Sequence, residues 1–131
     1  FGTCKNKLLF GLPGNPVSTM VSFEIFARPA TLKMMGHKYI FRKTVVAQLK
    51  ENITKKQGLM YFLRGIVTSS DDGFWEVTTT GEQGSGILKS MVSANCLIAL
   101  PINIHSLKAG ELVKVIPFDE SLAVTTTADY F

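Results

Sequence analysis

Three short stretches hold residue types that could grip a small oxyanion. The first is Gly11-Leu12-Pro13-Gly14-Asn15-Pro16-Val17-Ser18. Residues 8–10 read as the end of a buried strand, which Gly11, Pro13 and Gly14 then break. Asn15 is a good helix N-cap, because its side-chain oxygen can accept from an orphan backbone N–H. Pro16 falls at the first helical position, where its missing N–H costs nothing. A strand, a glycine turn and a helix N-terminus in succession aim N–H groups and the positive end of a helix dipole at one point, which suits a tetrahedral anion. The plainer alternative is an ordinary tight connection of an α/β domain. No Gly-Lys-Ser/Thr follows, so the stretch is not a P-loop, and its spacing is not the Gly-x-Gly-x-x-Gly dinucleotide turn. Its two prolines make the loop stiff.

The second stretch is Arg64-Gly65, set among Phe62, Leu63, Ile66 and Val67. A charge in such a run must snorkel, pair or face a cleft, because burying it alone is expensive. A guanidinium can grip an oxyanion through two donors, and Gly65 permits close backbone approach. The alternative is an arginine on the polar face of a barrel. The third stretch is Gly81-Glu82-Gln83-Gly84-Ser85-Gly86. Its backbone N–H groups and the Ser85 hydroxyl could converge on an anion; a plain N-cap is the commoner use of such a serine. No pair of carboxylates lies near either glycine loop in sequence to hold Mg²⁺. Neither Ser18 nor Ser85 has a histidine partner that would make it a nucleophile. The chain alone is therefore a poor candidate for a complete enzyme.

These residues need elements to position them. Residues 16–35 follow a helical pattern that is apolar on more than one face, with Val17, Met20, Val21, Phe23 and Phe26. Such a helix needs cover on several sides, more than this chain supplies. Pro29 should kink or break it, and Gly36 is a natural C′ residue. From residue 44 the texture turns to β. Residues 44–50 alternate with Val45, Ala47 and Leu49 on one face. A polar turn spans 51–58, a strand 59–69, an Asp71-Asp72-Gly73 hairpin turn follows, and a strand covers 74–80. A short helical turn over 87–94, an apolar strand over 96–100, a loop over 101–108 and a last strand over 111–117 complete the pattern. The fold class expected is mixed: the strand–helix end of an α/β/α domain in 1–36, a small antiparallel barrel-like domain in 37–118, and a loose tail in 119–131.

Composition narrows the function. Apolar residues make up 46% and charged residues 18% of the 131, a globular mixture. The net charge of +4 comes from scattered Lys and Arg, whereas nucleic-acid binders cluster theirs. Cys4, Cys96, His37 and His105 show no metal-ligand spacing, and Cys96 reads as a small core residue in a reducing setting. No apolar run has the length of a membrane span, and no signal peptide is visible. A start at Phe1-Gly2 is expected of a piece of a longer protein.

Taken in order, these motifs resemble the molybdopterin molybdenumtransferases, the MoeA/gephyrin E-domain family. The resemblance rests on Gly11-Leu12-Pro13-Gly14-Asn15-Pro16-Val17-Ser18, Phe62-Leu63-Arg64-Gly65, Glu76-Val77-Thr78-Thr79-Thr80-Gly81, Gln83-Gly84-Ser85-Gly86 with Ser90-Met91 and Ala94-Asn95, and Ala109-Gly110-Glu111. It implies the C-terminal part of an enzyme that inserts molybdate into adenylylated molybdopterin with Mg²⁺, releasing AMP. It also implies a cytoplasmic homodimer and Mg²⁺ ligands upstream of this stretch; from the scattered charge and the short apolar runs, no nucleic-acid or membrane partner is expected. The pocket residues it carries over are Gly11, Pro13, Gly14, Asn15, Pro16, Arg64 and Ser85, with Arg64 and Ser85 nearest the chemistry. The alternative is a non-catalytic oligomerisation or scaffolding β domain.

Overall fold

A computed structural model of the chain describes residues 1–70, 72–81, 83–84, 88–118, 124–125 and 130. The chain opens with a hairpin of β1 (Gly2–Cys4) and β2 (Lys7–Leu9), with Gly2 opposite Leu9. Lys5 and Asn6 turn it with φ of +46° and +61°, the positive pair that a two-residue hairpin turn requires. This corrects the expectation of a buried strand at residues 8–10. Among the described residues β2 pairs with β1 alone, and Leu9 is 56% exposed.

Helix α1 (Pro16–Ser22), a π-helical turn (Phe23–Ala27) and α2 (Arg28–Met34) run on without a gap. Pro29 does not end the helix. The Arg28 N–H reaches back five residues to Phe23 O, and this wider turn gives the proline ring room while sparing a bond that proline cannot make. Gly36, at φ +82°, closes the helix. Its N–H donates to Lys33 O at 3.1 Å and that of His37 to Leu32 O at 3.0 Å, the paired bonds of a glycine C-terminus.

After β3 (Phe41–Arg42) come β4 (Val45–Leu49), β5 (Ile53–Thr54), β6 (Tyr61–Ser69) and β7 (Trp75–Thr79). Helix α3 (Leu88–Ser93), β8 (Cys96–Leu100), β9 (Ser106–Leu107), β10 (Leu112–Pro117) and β11 (Val124–Thr125) follow. Five of these strands close into a barrel in the order β10-β4-β7-β6-β8. The barrel is not wholly antiparallel as expected, because β4 and β7 run parallel. A ring with an odd number of strands cannot alternate direction all the way round, so one seam must be parallel. The β6–β7 hairpin turns at Gly73, φ +79°; Asp71 lies outside the described residues.

The barrel interior is filled by Ala47, Leu49, Leu63, Val77, Ile98 and Val115, among others. The alternation of β4 places Val45, Ala47 and Leu49 inward as its sequence indicated. β8 is buried along its whole length. Leu97 and Ala99 point outward, where Ile25 and Val21 of the helix, Phe62 and Tyr130 cover them. That two-sided burial is why the strand is continuously apolar. Glu24 bridges helix and barrel: Arg42 Nε donates to its Oε1, while Arg42 Nη1 donates to Phe118 O at 3.0 Å.

Two further expectations change. Residues 51–58 are not merely a polar turn. Ile53 enters the core, and Lys55 is 5% exposed, with Nζ donating to Leu59 O at 2.7 Å and lying 5.4 Å from the Tyr61 ring centroid. Nor is the tail loose where described. β11 pairs with β3, and Tyr130 is buried with its ring edge-on to Phe41 and Phe62 at 6.1 and 6.4 Å. Both segments lack a periodic apolar pattern, since each is fixed by contacts with distant parts of the chain, such as β5 with β9 and β11 with β3. Residues 1–36 contribute a hairpin and the helix, while Met20, Phe23, Phe26, Met34 and Met35 remain 46–67% exposed. The chain leaves most of that apolar helix surface uncovered, as expected. None of the described helices is long and apolar enough to cross a membrane.

Candidate oxyanion site

The first turn of α1 is capped as its sequence demands. Asn15 Oδ1 accepts from the N–H groups of Val17 at 3.1 Å and Ser18 at 3.2 Å. The Thr19 N–H donates to Asn15 O at 2.8 Å, and Pro16 has no N–H. These bonds correct the expectation that the turn offers free amides to an anion, because the cap has already taken them. The Thr19 hydroxyl donates to Pro13 O and lies 2.9 Å from Asn15 O, drawing the proline loop onto the helix. Gly14 and Pro16 are exposed. Gly11 and Pro13 line a cavity of about 360 Å³ with Phe10 and Phe26, separate from the one that Arg64 faces.

Arg64 lies on β6 between the inward-facing Leu63 and Gly65, and is 4% exposed. Its Nε donates to Ser90 Oγ at 2.8 Å and its Nη2 to Gly84 O at 3.2 Å. The guanidinium thus holds both α3 and the glycine loop against the barrel. Burial pushes its pKa down from the ordinary arginine value, because the charged form loses hydration. Gly65 beside it sits where β6 changes partners, opposite Thr79 on β7 and Cys96 on β8. A Cβ there would stand 3.0 Å from Cys96 Sγ, Ile98 Cγ1 and Thr78 O. The close approach expected of this glycine is therefore real.

Two carboxamides extend the ladders of β6. Asn95 Oδ1 accepts from the Val67 N–H at 2.7 Å and its Nδ2 donates to Val67 O at 2.8 Å. Gln83 does the same for Arg64, accepting from its N–H at 2.9 Å and donating to its carbonyl at 3.1 Å. A cavity of about 400 Å³ then opens between α1 and β6, lined by Val17, Ser18, Tyr61, Arg64 and Gln83, among others. It joins the first turn of α1 to Arg64 and the glycine loop. Ser85 lies outside the described residues. Ser18, Gln83 and Ser90 were not singled out as site residues from sequence, although each lies within a quoted motif.

The family described as MoeA C-terminal region (domain IV) matches residues 46–118. The chain belongs to the MoeA family. A molybdopterin molybdenumtransferase of Haemophilus influenzae is 34% identical over 123 residues, covering 93% of this chain and 30% of that protein. One of Staphylococcus aureus is 36% identical over 110 residues, covering 84% of this chain and 26% of that protein. The chain thus spans under a third of the length of these curated relatives. Among solved structures, the molybdopterin biosynthesis moeA protein of Pyrococcus horikoshii OT3 superposes with a TM-score of 0.66 at 28% identity, covering 80% of this chain and 26% of that one. A molybdenum cofactor biosynthesis protein of Pyrococcus furiosus gives 0.65 at 28% identity, covering 80% and 36%. Among the described residues, no three His, Cys, Asp or Glu group together to hold a metal ion.

Proposed function

We propose that this chain works as the C-terminal part of a molybdopterin molybdotransferase and supplies one wall of its oxyanion pocket. The full protein inserts molybdate into adenylylated molybdopterin and releases AMP. It acts as a cytoplasmic homodimer. The observation that carries the reading is Arg64 facing one cavity together with Ser18 and Gln83, in a chain similar to proteins named for that transfer.

The roles follow from chemistry. Arg64 brings a planar cation whose donors match a tetrahedral dianion. Its backbone and side chain are both braced, so little reorganisation accompanies binding. The Ser18 hydroxyl adds a neutral donor from α1, and Ser85 a second from the glycine loop. The proline-stiffened stretch of Pro13 and Pro16 fixes the start of α1, with Gly11, Gly14 and Asn15 shaping its bend. The described residues do not fit Mg²⁺, since they offer no cluster of carboxylates. On this reading the metal is held by residues outside this chain.

The test is molybdate-dependent AMP release by the full-length enzyme carrying Arg64→Ala. Loss of most of the activity in a folded variant is expected. Activity equal to wild type would remove Arg64 from the pocket.

A further inference from the structure

We propose, on the reading of Arg64 as the anion's ligand, that Gln83 is a positioning residue which acts through Arg64. A carboxamide offers one acceptor and one donor side by side. That is the pair a neighbouring strand residue presents to a strand edge. Gln83 uses both on a single residue, accepting from the Arg64 N–H at 2.9 Å and donating to the Arg64 carbonyl at 3.1 Å. β7 has ended at Thr79, and Thr80 reaches that carbonyl with its N–H at 3.0 Å and its hydroxyl at 3.4 Å but accepts nothing from the Arg64 N–H, which Gln83 takes. Gln83 therefore completes the ladder where the strand stops.

The loop and the arginine hold each other. The loop's Gln83 fixes the Arg64 backbone, while the Arg64 guanidinium reaches Gly84 O of the same loop at 3.2 Å. A strand side chain takes its direction from its backbone. Releasing the carboxamide lets β6 turn at Arg64 and swings the guanidinium off the cavity. Gln83 Nε2 also lies 3.2 Å from Gly81 O, within hydrogen-bonding distance of the start of the loop. Only an amide of this length does all of this. Glutamate keeps the acceptor and loses the donor, and methionine keeps the length and loses both.

The experiment measures KM for molybdate and kcat for AMP release in the full-length enzyme with Gln83→Met, Gln83→Glu, Arg64→Ala and the double variant Arg64→Ala/Gln83→Met. Melting temperatures are recorded alongside. Each Gln83 variant is expected to raise KM about tenfold, equivalent to losing one well-made hydrogen bond, with kcat at saturating molybdate little changed. The double variant should be no worse than Arg64→Ala alone, because the two residues act as one unit. Should Gln83→Met fail to fold, Gln83→Glu carries the test through its retained acceptor. A wild-type KM in the Gln83 variants beside an impaired Arg64→Ala overturns the positioning role and leaves Arg64 in the pocket. Additive losses in the double variant overturn it as well. A wild-type KM in Arg64→Ala overturns both readings.

Discussion

Arg64 Nε donates to Ser90 Oγ at 2.8 Å, from β6 to α3, between residues only 4% and 5% exposed. Helix α3 spans six residues, too few to be stable on its own. A buried bond to a charged donor is a strong tether for so short an element. Replacing Ser90 by alanine takes away an acceptor where water cannot substitute. The expected cost is about 1–3 kcal/mol, read from the midpoint of urea unfolding. A variant as stable as wild type would show that α3 is held by other contacts.

Gly65→Ala tests the crowding where β6 changes partners. The added methyl would meet Cys96 Sγ, Ile98 Cγ1 and Thr78 O, each at 3.0 Å. Thr78 O is backbone inside a closed ladder and has nowhere to yield. Overpacking of this kind costs about 1–3 kcal/mol. Denaturant unfolding measures it, and an unchanged midpoint would mean that the barrel expands freely at this corner.

The Cys96 thiol sets an alkaline limit on stability. Burial raises its pKa from 9.0 to about 12, opposed in part by backbone bonds from Val67 and Gly65. The neutral thiol is the form that the fold favours. Its contribution is intact below the unfolded value and disappears as pH climbs from about 9 to about 12, because only the unfolded chain ionises across that range. The full loss is on the order of 4 kcal/mol. Cys96→Ala should lack this component, so the gap between variant and wild type narrows with rising pH in parallel unfolding curves. A gap that stays constant from pH 8 to pH 11, roughly the span where an unfolded thiol ionises, would contradict the burial of this thiol.

Local rules carried much of the fold from sequence. Asn15 and Pro16 cap α1 and Gly36 ends α2 because their bonds are made within a few residues. The strands show in alternation, as in Val45, Ala47 and Leu49. The parallel seam of β4 and β7 did not show, since it follows from closure of the ring rather than from any stretch of chain. The burial of Tyr130 and Lys55 does not show in sequence, because the contacts that bury them, rings on two strands for Tyr130 and the Leu59 carbonyl and Tyr61 ring for Lys55, leave no periodic trace. From sequence, the first helical turn is expected both to be capped by Asn15 and to offer N–H groups to an anion, but the cap takes the amides of Val17 and Ser18, which cannot serve both. Gln83 stood inside a recognised motif, yet its bonds to Arg64 depend on where β7 stops. That point is set by the register of the barrel.

The most direct measurement is calorimetric titration of molybdate into the full-length enzyme, comparing wild type with Arg64→Ala in a variant whose melting curve confirms that it is folded. Loss of a charged two-donor contact predicts binding at least about tenfold weaker. Equal affinity in the two proteins would contradict the assignment of Arg64 to the oxyanion pocket.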